Sequence, residues 1–162
     1  DPQTLSRIIT ACADLPVHFL IVGDGPYLPH FQAAFAGQER IKLAGWMEDP
    51  FHMYPAIDVL LLPSLWEGLS ITLIEAMAFG KPLIASNIKG NRECVQHGCN
   101  GLLCPPQQAD EFKKAIQTIW RDHSLYQTMS QNCREMARQS FDVEQNTQRL
   151  LALYKEQLGY GG

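Results

Sequence analysis

The sequence predicts an α/β fold built around a doubly wound, mainly parallel sheet. Short apolar runs, typical of buried strands, alternate along the 162 residues with longer amphipathic segments that suit helices. Glycine-containing turns follow several of the apolar runs, as expected where a strand passes into a helix. Alternating strands and helices form βα units whose strands pair in parallel, so helices are expected on both faces of the sheet.

The first elements follow from local signals. The apolar residues of segment 3–13 repeat at helical spacing, which predicts a helix. The apolar run 17–22 predicts a strand that ends in a glycine-containing turn. Pro26 suits the first position of a helix over 26–36, and residues 41–44 predict a second strand.

The middle of the chain is expected to hold a buried strand followed by a helix. Asp49 is a suitable N-cap for a short helical segment before that strand. The run 58–62 contains a valine and three leucines in succession, which predicts a strand buried on both faces. Residues 71–79 predict a helix that ends at Gly80, and a fourth strand is expected at 83–85.

The last part of the chain is predicted to be mostly helical. A helix near residues 92–96 precedes a fifth strand at 101–104, which two prolines stop. Three further helices are predicted at 109–122, 124–139 and 142–158. Because no linker or repeat interrupts the pattern, residues 1–162 are expected to form a single domain.

Composition excludes several classes of protein. Hydrophobic residues make up 46% and charged residues 19% of the chain, which is typical of a globular protein and not of a disordered one. The formal net charge of -4 argues against a nucleic-acid partner. No apolar run reaches about 18 residues, so no membrane span is expected and a cytoplasmic location is predicted.

The five cysteines favour reduced thiols over disulfides or a metal site. Their number is odd, and no CxxC pair occurs. Cys94, Cys99 and Cys104 are evenly spaced, but no histidine pattern accompanies them. We therefore expect mostly buried thiols in a cytosolic protein, and no bound metal.

Five loops are expected to meet at one edge of the sheet, because the carboxyl ends of parallel strands lie together. These loops are 23–26, 45–49, 63–70, 86–91 and 105–108. Loop 63–70 leads into the start of a helix, whose free N–H groups and positive dipole end suit a phosphate. Glu67 and Glu75 stand on either side of that start, and carboxylates accept hydrogen bonds from sugar hydroxyls. A nucleotide-sugar would satisfy both requirements.

Short motifs extend this pattern across residues 5 to 105 or so. In chain order they are Val22-Gly23-Asp24-Gly25-Pro26, Leu43-Ala44-Gly45-Trp46, Pro63-Ser64-Leu65-Trp66-Glu67-Gly68, Glu75-Ala76-Met77-Ala78-Phe79-Gly80-Lys81-Pro82, Lys89-Gly90-Asn91-Arg92-Glu93 and Asn100-Gly101-Leu102-Leu103. On these residues the chain resembles the C-terminal, donor-binding domain of retaining glycosyltransferases of the GT-B fold. Among them it is most similar to the family-four enzymes, which carry a Glu-x7-Glu motif. The resemblance implies a Rossmann-like domain that binds a nucleotide-sugar and needs no metal.

The resemblance also implies roles for individual residues. Glu67 would be the catalytic residue, in contact with hydroxyls of the transferred sugar, and Glu75 would hold the ribose hydroxyls. Trp46 and Met47 would flank the nucleobase. The sugar and diphosphate would face the backbone of Gly68, Leu69, Ser70, Ile71 and Thr72. Ser70 stands where many relatives have glycine, which narrows the space for the sugar.

Structural roles are open for the same residues. Residues 72–75 also fit a capping box, in which Glu75 would bond an early helix N–H. Glu67 would then be a solvated turn residue, and Trp46 an aromatic side chain of the core or sheet edge. Gly23 and Gly25 fit the start of a dinucleotide fingerprint, but the third glycine is missing.

The resemblance further implies parts that lie outside this sequence. In the family, the domain opens with a strand and a loop that carries an Arg and a Lys against the diphosphate, and an acceptor-binding domain precedes it. We therefore expect the first, central strand to be missing and the sheet to be split by a gap into two halves, one with strands 41–44 and 17–22 and the other with strands 58–62, 82–86 and 101–104. We also expect the 162 residues alone to be inactive in transfer. Helix 142–158 is expected to pack toward the absent N-terminal domain, through which the enzyme would associate with a membrane surface.

Three functions are consistent with the sequence. The first is the donor-binding domain of a retaining, metal-independent glycosyltransferase in bacterial polysaccharide or glycolipid synthesis. The second is a nucleotide-sugar epimerase or sugar phosphorylase of related fold. The third is a non-catalytic nucleotide-binding domain in which Glu67 and Glu75 are structural.

Overall fold

A computed structural model describes residues 1–157 of the chain. Its helices are α1 (Pro2–Ala11), α2 (Leu28–Ala34), a 3-10 helix (Pro50–Ala56), α3 (Ile71–Ala78), α4 (Lys89–Arg92), α5 (Ala109–Arg121), α6 (His123–Phe141) and α7 (Val143–Gln157). Its strands are β1 (Phe19–Val22), β2 (Ile41–Gly45), β3 (Leu60–Leu62), β4 (Leu83–Ser86) and β5 (Gly101–Cys104). All five predicted strands are confirmed, and each is followed by a helix. Residue 158, the last of the predicted C-terminal helix, and the tail after it lie outside the described residues.

The five strands form two parallel sheets. β1 pairs with β2, with Phe19 opposite Ile41. In the second sheet, β4 lies between β3 and β5, with Leu83 opposite both Leu60 and Gly101. Within residues 1–157 no strand joins β1 to β3, so the predicted gap between the two halves is confirmed.

Helices cover both faces of the three-stranded sheet, because the side chains of its central strand alternate between two cores. Leu83 and Ala85 belong to a buried cluster that also contains Leu73 of α3 and Cys133 of α6. Ile84 points the other way, into a cluster with residues of α1 and α5. Covering helices on both faces confirm the doubly wound α/β fold.

α1 connects the two sheets. Ile8 of this helix and Cys12, the residue directly after it, belong to the core that α1 shares with α5. Ile9, the residue after Ile8, packs with Phe31 and Phe35 of the α2 region over β1 and β2. Both sheets are thus packed around a single helix, although their strands do not pair.

Two predicted helix positions are wrong. α2 begins at Leu28 and not at Pro26, because Gly25 has a φ of +145° and its carbonyl accepts a turn hydrogen bond from the Leu28 N–H. α4 covers Lys89–Arg92 in place of 92–96, and Glu93 follows its last residue. Glycine is a poor helix former, so helix propensity does not predict a helix around Gly90.

Length and apolar character of the helices bear on membrane insertion. Among the described residues, no helix is both long enough and apolar enough to cross a bilayer.

Candidate functional site

The β3–α3 loop (residues 63–70) leaves the carboxyl end of β3 and is fixed at both ends. Ser64, near its start, and Ser70, at its end, are buried. Between them, Leu65, Trp66 and Leu69 are exposed, and Trp66 keeps 84% of its surface in contact with solvent. The exposed middle of the loop therefore lies between two buried residues, at the sheet edge where ligands of such folds bind.

Glu67 lies in the middle of this loop and is oriented by a hydrogen bond to another residue of the loop. The buried Ser64 hydroxyl donates to Glu67 Oε1 over 2.8 Å. This contact leaves the other carboxylate oxygen without a hydrogen-bond donor among the described residues. A half-buried, oriented carboxylate with a free oxygen can accept from a hydroxyl of a bound sugar.

The start of α3 offers free backbone N–H groups next to Glu67. Ser70 is the N-cap residue, and within residues 1–157 no side chain accepts a hydrogen bond from the first turn of this helix. The Ser70 carbonyl accepts from the Ile74 N–H, so the regular helix begins at Ile71. The N–H groups of Ile71 and Thr72, together with the positive end of the dipole, can therefore bind an anion.

Gly90 of α4 packs directly beneath the same loop. A Cβ atom added to Gly90 would overlap the backbone carbonyl oxygens of Glu67 and Gly68. Only glycine permits this approach of two backbone segments. The contact shows that the loops after β3 and β4 meet, as the parallel sheet predicts.

Gly90→Ala is expected to lower the free energy of unfolding by about 1–3 kcal/mol, because the added methyl group overpacks two backbone segments. Urea unfolding followed by circular dichroism measures this change. A variant as stable as the parent would contradict the close packing of α4 against the loop.

Gly68→Ala provides the matched control, since a Cβ atom at Gly68 meets no atom within 4 Å and its φ lies outside the left-handed region. We expect its free energy of unfolding to stay within about 0.5 kcal/mol of the parent value. The pair therefore separates a glycine needed for packing from a glycine that leaves open space at the site.

Glu75 lies in the second turn of α3, with its own buried hydroxyl partner. The Tyr54 hydroxyl donates to Glu75 Oε2 over 2.6 Å, and Tyr54 is 1% exposed. The capping-box alternative is wrong, because α3 starts at Ile71 and the Glu75 carboxylate bonds the tyrosine in place of a helix N–H. The two glutamates thus have separate supports, Ser64 for one and Tyr54 for the other.

Trp46 and Met47 follow β2 at a sharp turn. Gly45 has a φ of +69° and its carbonyl accepts from the Gly23 N–H over 2.7 Å, which joins the loops after β1 and β2. Trp46 is 77% exposed, so the alternative of a core aromatic is wrong, whereas Met47 is half-buried. The Asp49 side chain caps the 3-10 helix by accepting from the Phe51 N–H, as predicted. This helix leads from Trp46 and Met47 to the tyrosine beside Glu75.

Most of the cysteines are buried among packed side chains. All but Cys99 are buried. Burial raises the pKa of Cys94 to about 11, an effect strengthened by Glu93 and opposed by a hydrogen bond involving the Ser70 backbone. Burial likewise raises the pKa of Cys133 to about 12. Within residues 1–157, no three His, Cys, Asp or Glu side chains are grouped closely enough to share a metal ion.

Sequence reasoning missed three supporting residues of this site, namely Tyr54, Ser64 and Gly90. Ser64 and Gly90 belong to the short motifs of the sequence, but those motifs indicate no physical role for either residue. Tyr54 had no local signal, since its partner is 21 residues away.

Comparison with known proteins identifies the family to which the chain is similar. The sequence profile of the family described as "Glycosyl transferases group 1" matches residues 3–122. The UDP-Gal:alpha-D-GlcNAc-diphosphoundecaprenol alpha-1,3-galactosyltransferase of Escherichia coli is 34% identical over 140 residues, which cover 84% of this chain and 36% of that protein.

Solved structures share the fold. The crystal structure of HepE from Anabaena in complex with UDP-glucose superposes with a TM-score of 0.84 at 27% identity, covering 95% of this chain and 44% of that one. Sucrose-phosphate synthase from Thermosynechococcus elongatus superposes with a TM-score of 0.82 at 28% identity, covering 99% and 44%. The chain thus spans less than half the length of each of these proteins.

Proposed function

The chain belongs to the glycosyl transferases group 1 family, and we propose that it is the donor-binding domain of a retaining, metal-independent glycosyltransferase. Such an enzyme moves a sugar from a nucleotide diphosphate to an acceptor. One observation carries the proposal: two carboxylates, each bonded to a buried hydroxyl, lie on either side of a helix start that no described side chain caps.

The proposed donor lies along the segment from Glu67 to Glu75. Its diphosphate accepts hydrogen bonds from the N–H groups of Ile71 and Thr72, and the dipole of α3 stabilises the charge that develops on the leaving diphosphate. The sugar lies over Gly68, Leu69 and Ser70 with its hydroxyls donating to Glu67. The ribose hydroxyls donate to Glu75.

The nucleobase is proposed to lie by Trp46 and Met47. The exposed indole of Trp46 offers a free aromatic face, and stacking on such a face suits a flat base. The 3-10 helix follows these residues and contains Tyr54, which bonds Glu75, so the chain leads from the proposed base subsite toward the proposed ribose subsite.

UDP is the nucleotide that the relatives favour. The Anabaena structure holds UDP-glucose, and the Escherichia coli relative is named for UDP-Gal and for a diphosphoundecaprenol acceptor. We therefore propose a UDP-sugar as donor and an acceptor of bacterial glycolipid or polysaccharide synthesis, in the cytoplasm. The family match favours transfer over the epimerase and phosphorylase alternatives.

Acceptor binding is assigned to sequence beyond these residues, because the chain spans only 36–44% of the relatives compared above. α7 carries exposed apolar side chains, namely Val143, Leu150, Leu151, Leu153 and Tyr154. We propose that this face packs against the acceptor-binding half, and that the 162 residues alone bind a donor without transferring its sugar.

A transfer assay tests the reaction class. The full-length protein is incubated with UDP-glucose or UDP-galactose, a polyprenyl-diphosphate-linked sugar as acceptor, and EDTA. We expect a product whose new linkage keeps the anomeric configuration of the donor, as read by NMR, at a rate that EDTA does not change. Interconversion of the donor without acceptor would favour an epimerase, and an inverted product would contradict retention.

A further inference from the structure

We propose that Tyr54 is the positioning residue of the ribose subsite, holding the Glu75 carboxylate ready for the ribose hydroxyls of a bound nucleotide. The inference rests on the proposed function, since it concerns the ribose of the same donor. It adds a residue outside the segment 63–78, contributed by the 3-10 helix before β3.

The ring of Tyr54 is fixed by packing against α3. It stacks on Phe79 with a centroid separation of 5.2 Å and an interplanar angle of 20°. Phe79 follows Glu75 by four residues, so the two side chains leave α3 on the same face. Phe51 packs against both rings, at 6.4 Å from Tyr54 and 6.2 Å from Phe79. The tyrosine hydroxyl is therefore directed at Glu75 by contacts that do not involve the hydroxyl itself.

The Tyr54 hydroxyl remains a hydrogen-bond donor in the physiological pH range. Burial, and then the hydrogen bond to the Glu75 carboxylate, raise the pKa of Tyr54 above its ordinary value. The phenol thus stays protonated and keeps the proton that it donates to Glu75. The Tyr54 hydroxyl oxygen lies 2.6 Å from Glu75 Oε2, a short distance that is typical of a charge-assisted hydrogen bond.

This bond leaves a defined part of the carboxylate for a ligand. Oε2 accepts from Tyr54, whereas Oε1 has no donor among the described residues. A carboxylate can accept about four hydrogen bonds, so Oε1 and the second lone pair of Oε2 remain for a diol. A free glutamate side chain would lose rotamer entropy when it binds the ribose, and the tyrosine removes much of that cost beforehand.

Tyr54→Phe isolates the hydroxyl, because phenylalanine keeps the stack on Phe79 and the packing of the core. Tyr126→Phe is the matched control: Tyr126 is a partly buried tyrosine of α6 that packs in the cluster on the other face of the sheet. Calorimetry measures the affinity of the full-length protein for UDP, GDP and ADP, and for the 2′,3′-dideoxy form of each, which has no ribose diol.

We expect Tyr54→Phe to weaken binding of the preferred nucleotide about 3- to 10-fold, the size of one hydrogen bond, and to leave the affinity for its dideoxy form unchanged. Tyr126→Phe should change neither. An equal loss for both ligands would overturn the inference, because a merely structural role does not depend on the ribose. So would an unchanged affinity for the ribonucleotide.

The proposed function fails in a different way. If the parent protein binds none of the three nucleotides, donor binding itself is wrong, and the inference falls with it. If the parent binds a nucleotide and its dideoxy form equally, the donor site stands but the ribose role of Glu75, and hence of Tyr54, is overturned.

Discussion

Glu67→Gln is expected to lower kcat/KM for sugar transfer about 10- to 150-fold, because hydrogen bonds to a charged group contribute about 1.5–3 kcal/mol and an amide lacks that charge. The affinity for UDP should not change, since UDP has no transferred sugar for Glu67 to contact. Glutamine keeps the shape of the side chain and can still accept from Ser64, so the loop should keep its conformation. Steady-state kinetics of the full-length protein with a UDP-sugar, together with calorimetry with UDP, separate the two effects.

The matched control for this change is Glu135→Gln, which removes the same charge from an exposed position of α6. It should leave both transfer and UDP affinity at parent values. If Glu67→Gln transfers sugar as fast as the control, then Glu67 is a solvated turn residue, the structural alternative for this position.

Glu75→Ala is expected to weaken UDP binding about 5- to 150-fold, which corresponds to the roughly 1–3 kcal/mol lost with a carboxylate that holds the ribose hydroxyls. The same change leaves the buried Tyr54 hydroxyl without its acceptor, and that should lower the free energy of unfolding by about 1–3 kcal/mol. Calorimetry with UDP and urea unfolding measure the two losses separately.

Glu75→Gln distinguishes ligand binding from stability. Its amide oxygen can accept from Tyr54, so the free energy of unfolding should stay close to the parent value, while the lost charge still weakens UDP binding. Parent affinity for UDP in Glu75→Ala would assign Glu75 a purely structural role, with Tyr54 as its partner.

Much of the fold could be predicted because its signals are local. β5 matches its predicted bounds, and α3 ends before Gly80, where a φ of +68° favours glycine. The split sheet and the GT-B assignment were likewise predictable, since the motifs occur in family order and the central strand has no counterpart among them. Solved GT-B enzymes with high TM-scores confirm the assignment.

What could not be predicted depends on contacts between distant residues. Gly90 is required by the backbone of Glu67 and Gly68, and no residue near Gly90 indicates this. From its neighbours in sequence, Tyr54 is only part of a short helical segment, yet its hydroxyl donates to a carboxylate of another element. The two glutamates could therefore be predicted from the sequence, whereas the residues that orient them are identified only by the folded structure.

The central claim is that Glu67 faces the sugar and Glu75 the ribose of one bound donor. A UDP titration of the full-length parent protein, Glu67→Gln and Glu75→Ala by calorimetry tests it most directly. We predict similar affinity for the parent and Glu67→Gln, and an affinity about 5- to 150-fold weaker for Glu75→Ala. Failure of the parent to bind UDP, or an equal loss of affinity in both variants, would contradict the claim.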